Sequence, residues 1–501
     1  MKKWWQGLAL DLRSLALLRI MMGLLLLLDL GIRATDLQAH YTDAGCQPAY
    51  RVLQWSWNLA FWSVHLAQGH WLGQALLFLV TAVAYACLTV GYRTRLFGWL
   101  SWFLLISMQN RNPVILDGGD LYFRCLMFWL LFCPWAARWS VDASRAGTTP
   151  PTSAWNLACG AYCWQITLIY AFAYLLKVGN EWKVDGTAVQ LALLLDQITS
   201  PPAQLLVGHP DLLRFLNFAV LYFEGAAALL IWIPRARLLA VVGLTGLHLG
   251  LGSFLHLGVF SLIASVCSWA LLPGWLWDRW PSWRLTLPDW PGKGYEDPSP
   301  RPSRLVVNLL LLFLLMRVTA FNLYWGRHWT VMPNCPDLRL LRLDQQWNMF
   351  APRPLADDGY FVIVGETQEG DWVNIGLTGG PEVRWDKPAR VASCYPNARW
   401  RKLMMNAFLP ENQVWRAPLL DYLGSRWQRR HPHRPLRSLH LYFVLEKSLP
   451  DGQEGPLQVN QLCYQPKRAV NDRQAASTYA TLGTGLEVLR AFGRAPDRGG
   501  K

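Results

Sequence analysis

Charge is scarce in this chain. Only 16% of its 501 residues are Asp, Glu, Lys or Arg, where a soluble domain averages roughly a quarter. Such a shortage excludes a protein whose whole surface is solvated by water. Acidic residues are the scarcer sign, 33 against 47 basic, for a net charge of +14. That excess comes without zinc-finger spacing, a P-loop or an RNA-binding signature, so it does not read as a nucleic-acid footprint. Loop charges that set membrane topology, and contact with anionic lipid headgroups, account for it instead. No Cys-x-x-Cys pair occurs, which leaves Cys159 and Cys163, one helical turn apart, without the further ligands a metal site needs, and no metal is expected. No period of 20–50 residues repeats, as solenoids would require, and no paired interrupted helices suggest a transporter. The Leu-rich run after Lys2 and Lys3 is followed by no A-x-A-like cleavage site, so it is expected to remain as a first span.

Apolar residues are abundant and blocked: 52% of the chain is hydrophobic and 29 residues are Trp. A helix needs about 20 mostly apolar residues to cross roughly 30 Å of hydrocarbon. Nine runs are expected as spans, at about 14–32, 70–91, 96–110, 121–137, 155–177, 210–233, 237–254, 257–275 and 304–322. With nine crossings, Lys2, Lys3, Arg13, Arg93, Arg95, Arg138, Arg145, Arg235, Arg237 and the basic loop 279–304 share one side, which the positive-inside rule makes cytoplasmic. The fold class is thus an all-α multi-pass bundle. Between the first two runs, Arg33–Gly69 holds Trp55, Trp57, Phe61 and Trp62 and suggests an interfacial helix. Asp185–Ser200 is too short to span and suggests a second, ending at Pro201 and Pro202.

Beyond about residue 325 the pattern changes. Alternation at Tyr360–Val364, Trp372–Ile375 and Leu439–Leu445, with turns at Glu369–Asp371 and Gly379–Pro381, predicts a mostly β domain over 326–470 with a helix near Trp400–Phe408. Nine crossings would place it outside the cytoplasm, with a polar tail over 471–501 and a solvated basic loop at Arg426–Arg437. That compartment permits disulfides, so Cys46, Cys335, Cys394 and Cys463 are candidates, Cys46 pairing with one of the others.

Ionisable groups within spans are costly and therefore informative. Lys177 closes the apolar run Gln165–Leu176; it is either an interface lysine or, facing a cavity, a desolvated base. His248 lies in the seventh run and His256 at the following hairpin, at the depth of Lys177. Glu224, in the middle of the sixth run, needs a partner, for which Lys177, His248 and Arg124 are candidates. Asp117-Gly-Gly-Asp120 opens the fourth run as a helix cap or a functional group.

Several blocks carry a resemblance. Ala16–Arg19 with Tyr41–Gly45, Gly118–Asp120, Ala137–Asp142, Leu175–Trp182, His248 through Ser261, Gln346–Pro352, Arg399–Trp400 and His440–Phe443 occur in an order and spacing similar to the vitamin K-dependent γ-glutamyl carboxylase superfamily. Its bacterial "horizontally transferred transmembrane" members are included in that likeness. The resemblance implies a nine-span bundle with an extracytoplasmic β domain. It also implies reduced vitamin K-type quinone, menaquinol-like, with O2 and CO2 as co-substrates. In that chemistry a lysine deprotonates the quinol, oxygen addition yields a strong base, and a peptidyl glutamate is deprotonated and carboxylated. Lys177 resembles the base and His248 a histidine near it, with Glu224, His256, Asp120, Arg124 and Trp182 as supporting groups. Trp347, Met349 and Trp400 fall in blocks implied to hold a secreted polypeptide. One departure is Leu176, where animal carboxylases have a second lysine. The alternative function is a non-catalytic maturation, export or immunity factor.

Overall fold

A computed structural model describes residues 8–56, 61–146, 152–279, 301–327, 335–378, 380, 382–448 and 455–467. Trp57, Pro381 and the tail beyond 470 lie outside the described residues. Each of the nine apolar runs forms a helix: α1 Leu12–Thr35, α2 Trp71–Val90, α3 Thr94–Arg111, α4 Gly118–Leu130, α5 Leu157–Leu175, α6 Pro210–Leu230, α7 Arg237–Phe254, α8 Phe260–Ser268 and α9 Arg301–Arg327. Their ends follow local chemistry. Asp11 caps α1 by accepting from the Arg13 N–H at 2.8 Å, and Asn156 caps α5 by accepting from the Cys159 N–H at 2.8 Å. Gly91, at φ +72°, ends α2 in the left-handed conformation that its missing Cβ permits.

Six of these helices are long and apolar enough to cross a membrane: α1, α2, α5, α6, α7 and α9. The other three fall short by length or composition. α4 has 13 residues, a rise of about 20 Å against roughly 30 Å of hydrocarbon. α8 and the turn after it form an apolar stretch only over Phe260–Leu271. α3 has 18 residues but ends on Gln109, Asn110 and Arg111, all buried. Lipid is the solvent the outer helices require: only 28% of the α7 window and 22% of the α9 window is buried, and Leu305, Leu309, Leu310, Phe313 and Met316 are exposed.

Contacts between loops define two ends of the bundle. At one end Leu10–Asp11 pairs with Ser153–Ala154, Arg13 bonds Asp278 at 2.8 Å, Asp142 accepts from the Thr94 N–H at 2.7 Å, and Arg237 donates to the Leu8 carbonyl at 2.9 Å. The described basic loops therefore meet there. At the other end Ser200 donates its N–H to the Phe254 carbonyl at 3.0 Å, and the residues after 335 pack.

Those later residues build a four-stranded antiparallel sheet, ordered β2-β1-β3-β4, from β1 Asp357–Thr367, β2 Trp372–Asn374, β3 Leu436–Lys447 and β4 Gln458–Pro466. Helices α10 Ala398–Phe408 and α11 Arg416–Arg430 complete the domain. The fourth strand escapes the sequence pattern because its residues, mostly polar, are half-buried at a sheet edge. β3 is buried along nearly its whole length, so simple alternation understates its extent. Arg426–Arg430 is not a loop as expected but the last turns of α11, whose Leu419, Leu420, Leu423 and Trp427 pack inward. Asp185–Ser200 contains only the short helix Ala188–Leu193.

Candidate functional site

Lys177 stands two residues beyond the end of α5 and is only 3% exposed. Its ammonium donates to the Glu224 carboxylate on α6, itself 8% exposed, and lies 4.8 Å from the centre of the Trp182 ring. Of the three partners considered for Glu224, the structure selects the lysine. The turn holding Lys177 is clamped by the segment Gln346–Pro352. The Trp182 indole donates to the Phe350 carbonyl at 2.8 Å, and the Gly179 N–H to the Pro352 carbonyl at 3.0 Å. Asn217 donates to the Trp182 carbonyl at 2.9 Å, fixing the same turn to α6. A buried amine is held here from two sides, and the snorkelling alternative is closed off.

His248 belongs to a second polar nest, about two turns of α5 before Lys177. Its Nε2 shares a 2.8 Å hydrogen bond with the Tyr170 hydroxyl, while its Nδ1 is buried without a partner. Edge-on contacts join His248 to Phe260 at 5.5 Å and to Tyr122 at 6.3 Å, and Tyr122 to Trp347 at 5.3 Å between ring centres. The structure thus brings Lys177, Glu224 and Trp182 together, and sets His248 against Tyr170, seven residues before Lys177 in the chain. Sequence reasoning missed Tyr122 and Tyr170, whose hydroxyls are the nest's other polar groups. It also missed the amide chain beside them: Gln165 bonds Gln345 at 2.5 Å and the Trp347 indole bonds Gln345 at 2.6 Å. A glutamine midway along an apolar helix was the available signal.

Other expected site residues go elsewhere. Asp120 is fully buried and accepts hydrogen bonds from Arg33 and Arg399. Asp29 accepts from the same two arginines, each at 2.7 Å, and Arg33 also donates to the Tyr41 hydroxyl at 2.7 Å. This closed network joins α1, α4 and α10, so Asp120 serves as an anchor for the C-terminal domain. Its sequence signal was Asp29 four residues before Arg33 inside a leucine run. Arg124 donates to the carbonyls of Arg342 at 2.9 Å and Asp344 at 2.8 Å and does not reach Glu224. Trp347 and Trp400 are 4% and 2% exposed, and Trp400 packs 4.5 Å from His40. Enclosed indoles cannot offer a peptide-binding surface, so both are corrected to packing groups; Met349 is half-buried near Gly118 and Phe260. All ten cysteines are free thiols, and the expected Cys46 disulfide does not form. Cys46 is buried beside α11, whereas Cys335 precedes the short helix Pro336–Leu340, Cys394 ends a turn and Cys463 is on β4. His256 is exposed at the α7–α8 turn; partial burial and then the Arg401 guanidinium push its imidazole below the usual histidine range. No group of three metal-ligating side chains exists among the described residues.

A family model for the HTTM domain matches residues 9–273, which spans α1 to α8 and the Lys177–Glu224 pair. The chain belongs to the HTTM domain family. HTTM domains are associated with membrane proteins of the vitamin K-dependent carboxylase family. No curated protein and no solved structure matches the chain. The HTTM match stops at residue 273, just past α8, so α9 and the sheet domain lie outside it.

Proposed function

We propose that this HTTM protein is a membrane enzyme that oxidises a lipid-soluble quinol, with Lys177 as the base. The observation that carries the proposal is the burial of the Lys177 amine against Glu224 and Trp182 at the end of a bilayer-length helix. A reduced vitamin K-type quinone with O2 would supply the oxidative chemistry, and carboxylation of a peptidyl glutamate by CO2 is the step that chemistry could drive. The protein's own part is proton handling. In a dry site a lysine and a glutamate share a proton at little cost, because the pair is neutral in either form. An amine there can take a proton from a bound hydroxyl, and the neighbouring carboxylate stabilises the ammonium that results. His248 and the Tyr122 and Tyr170 hydroxyls supply hydrogen bonds about two turns of α5 away, and the packed aromatic rings exclude water. Arriving through the bilayer suits a substrate whose tail is apolar. The same reading carries nine crossings, a cytoplasmic N-terminus and an extracytoplasmic sheet domain, supported by the convergence of basic loops at one end of the bundle.

The test uses membranes containing the full chain, supplied with reduced menaquinone and oxygen. Lys177→Ala should lower quinone epoxide formation per folded molecule by roughly 100-fold or more, the scale of a lost general base. Undiminished turnover would remove Lys177 from the chemistry. A second reading, a non-catalytic maturation factor binding a secreted peptide, is favoured by the completeness of the Lys177–Glu224 pairing, which a purely structural ion pair would also show. It predicts peptide capture that is indifferent to Lys177.

A further inference from the structure

The seam between the bundle and the sheet domain holds a cleft of about 530 Å³, walled by the α7–α8 turn, the segment 196–204 and the segment 389–398. Its charged lining is unbalanced. Asp196 and Glu446 share the single ammonium of Lys387, at 2.7 and 2.5 Å, which leaves Asp196 as the one carboxylate on the lining against Arg401 and Arg390. Arg401, only 9% exposed, donates to the His256 carbonyl but has no carboxylate within ion-pair distance among the described residues, and its Nε has no partner. Arg390, exposed on the same cleft, also has no acidic partner among the described residues. The nearest carboxylate to act on Arg401 is Asp117, which is already paired with Arg399 at 3.4 Å; a nine-tenths-buried guanidinium with no carboxylate of its own is costly unless an anion completes it.

The surroundings say which anion. The cleft lies where α7 ends, at the boundary between lipid-facing helices and the sheet domain. Leu205, next to the lining residue Gln204, is 76% exposed, and Leu249, one turn before the lining residue Gly252, is 46% exposed. Apolar side chains thus run away from a cationic hollow along the bundle's outside. A molecule with an anionic head and apolar chains matches both parts. We propose that this cleft binds the phosphate of an anionic phospholipid, gripped by Arg401 and Arg390, with the acyl chains lying past Leu205 and Leu249. A carboxylate on an acidic peptide would satisfy the guanidinium groups but would leave the exposed leucines unused.

Purified full-length protein in detergent can be titrated with phosphatidylglycerol, phosphatidylcholine, soluble glycerol phosphate and a polyglutamate peptide, reading bound lipid by native mass spectrometry and thermal unfolding. Phosphatidylglycerol should bind and stabilise, and Arg401→Gln should weaken it roughly tenfold, the worth of one charge-assisted bond. Arg401→Gln also removes a bond to the α7–α8 turn, so Arg390→Glu, a surface change that should leave folding intact, gives an independent loss of several-fold. Phosphatidylglycerol binding that survives both substitutions overturns the proposal. So does equal binding of phosphatidylcholine, saturation by glycerol phosphate alone, or a response confined to the peptide. Lys177→Ala should retain the lipid effect, which keeps this outcome separate from any failure of the quinol reading.

Discussion

The Lys177–Glu224 contact makes each partner's burial tolerable only through the other. Removing one leaves an uncompensated buried charge, at a cost of about 3–5 kcal/mol, whereas replacing both by apolar residues of similar volume is often neutral. Glu224→Ala should therefore lower thermal stability in detergent markedly, and Lys177→Met with Glu224→Met should recover most of it while remaining inactive. A double variant as unstable as the single one would show that the pair is not acting as a unit. Asp358 gives a pH-dependent case outside the membrane. It is 3% exposed; Oδ2 accepts from the Asp196 N–H at 2.7 Å and Oδ1 is unpartnered. Burial pushes its carboxyl up to about 6 from 3.8. The folded state then holds a proton more tightly than the unfolded one, so this residue's contribution is favourable below about pH 4 and is lost as pH rises through about 6. Asp358→Asn should stabilise the protein at pH 7.5, by up to about 3 kcal/mol, and much less at pH 4. Equal gains at both values would contradict this account.

At the level of elements, α10 is the bolt between the two parts of the chain. Arg399 reaches Asp29 on α1 and Asp120 on α4, and the Gly258 backbone, at φ +63°, comes so close that an added Cβ would sit 2.9 Å from Ala398. Arg399→Gln should free Asp29 and Asp120 of half their charge compensation. Hydrogen exchange should then accelerate in α10 and in the helix Leu37–Tyr41 while strands β1 and β3 stay protected. Uniform exchange across the chain would mean that the network does not hold the domains together. The sequence made α10 visible as a helix near Trp400–Phe408 but not as a bolt, because its partners are some 279 and 370 residues away.

For the whole molecule, opposite ends of the bundle carry the basic loops and the sheet domain. Single cysteines introduced at Arg93 and at Asn374 in a background lacking the half-buried thiols of Cys87, Cys394 and Cys463 should react with a membrane-impermeant maleimide from opposite sides of sealed vesicles. Labelling of both from one side would refute the proposed nine-crossing topology. Much of this arrangement was legible in advance. Every apolar run became a helix, and three of the four strands were read from their alternation, because burial against lipid or a core imprints itself locally as blocked or periodic hydrophobicity. Arg426–Arg430 was misread as a loop and β4 was missed, because their polar residues sit on half-exposed faces where periodicity is weak.

The sequence by itself determined that a glutamate would lie within an apolar helix and a lysine at the end of another, since only the order of residue types decides what a bilayer must accommodate. It also determined the helical class of the bundle and the sheet that follows. Tertiary structure alone decided that Glu224 answers Lys177 rather than Arg124, that Asp120 is an anchor, and that Trp347 and Trp400 are enclosed. The reason is that a buried charge is satisfied by whichever partner the packing of distant helices brings within a few ångströms, and no local pattern encodes that meeting.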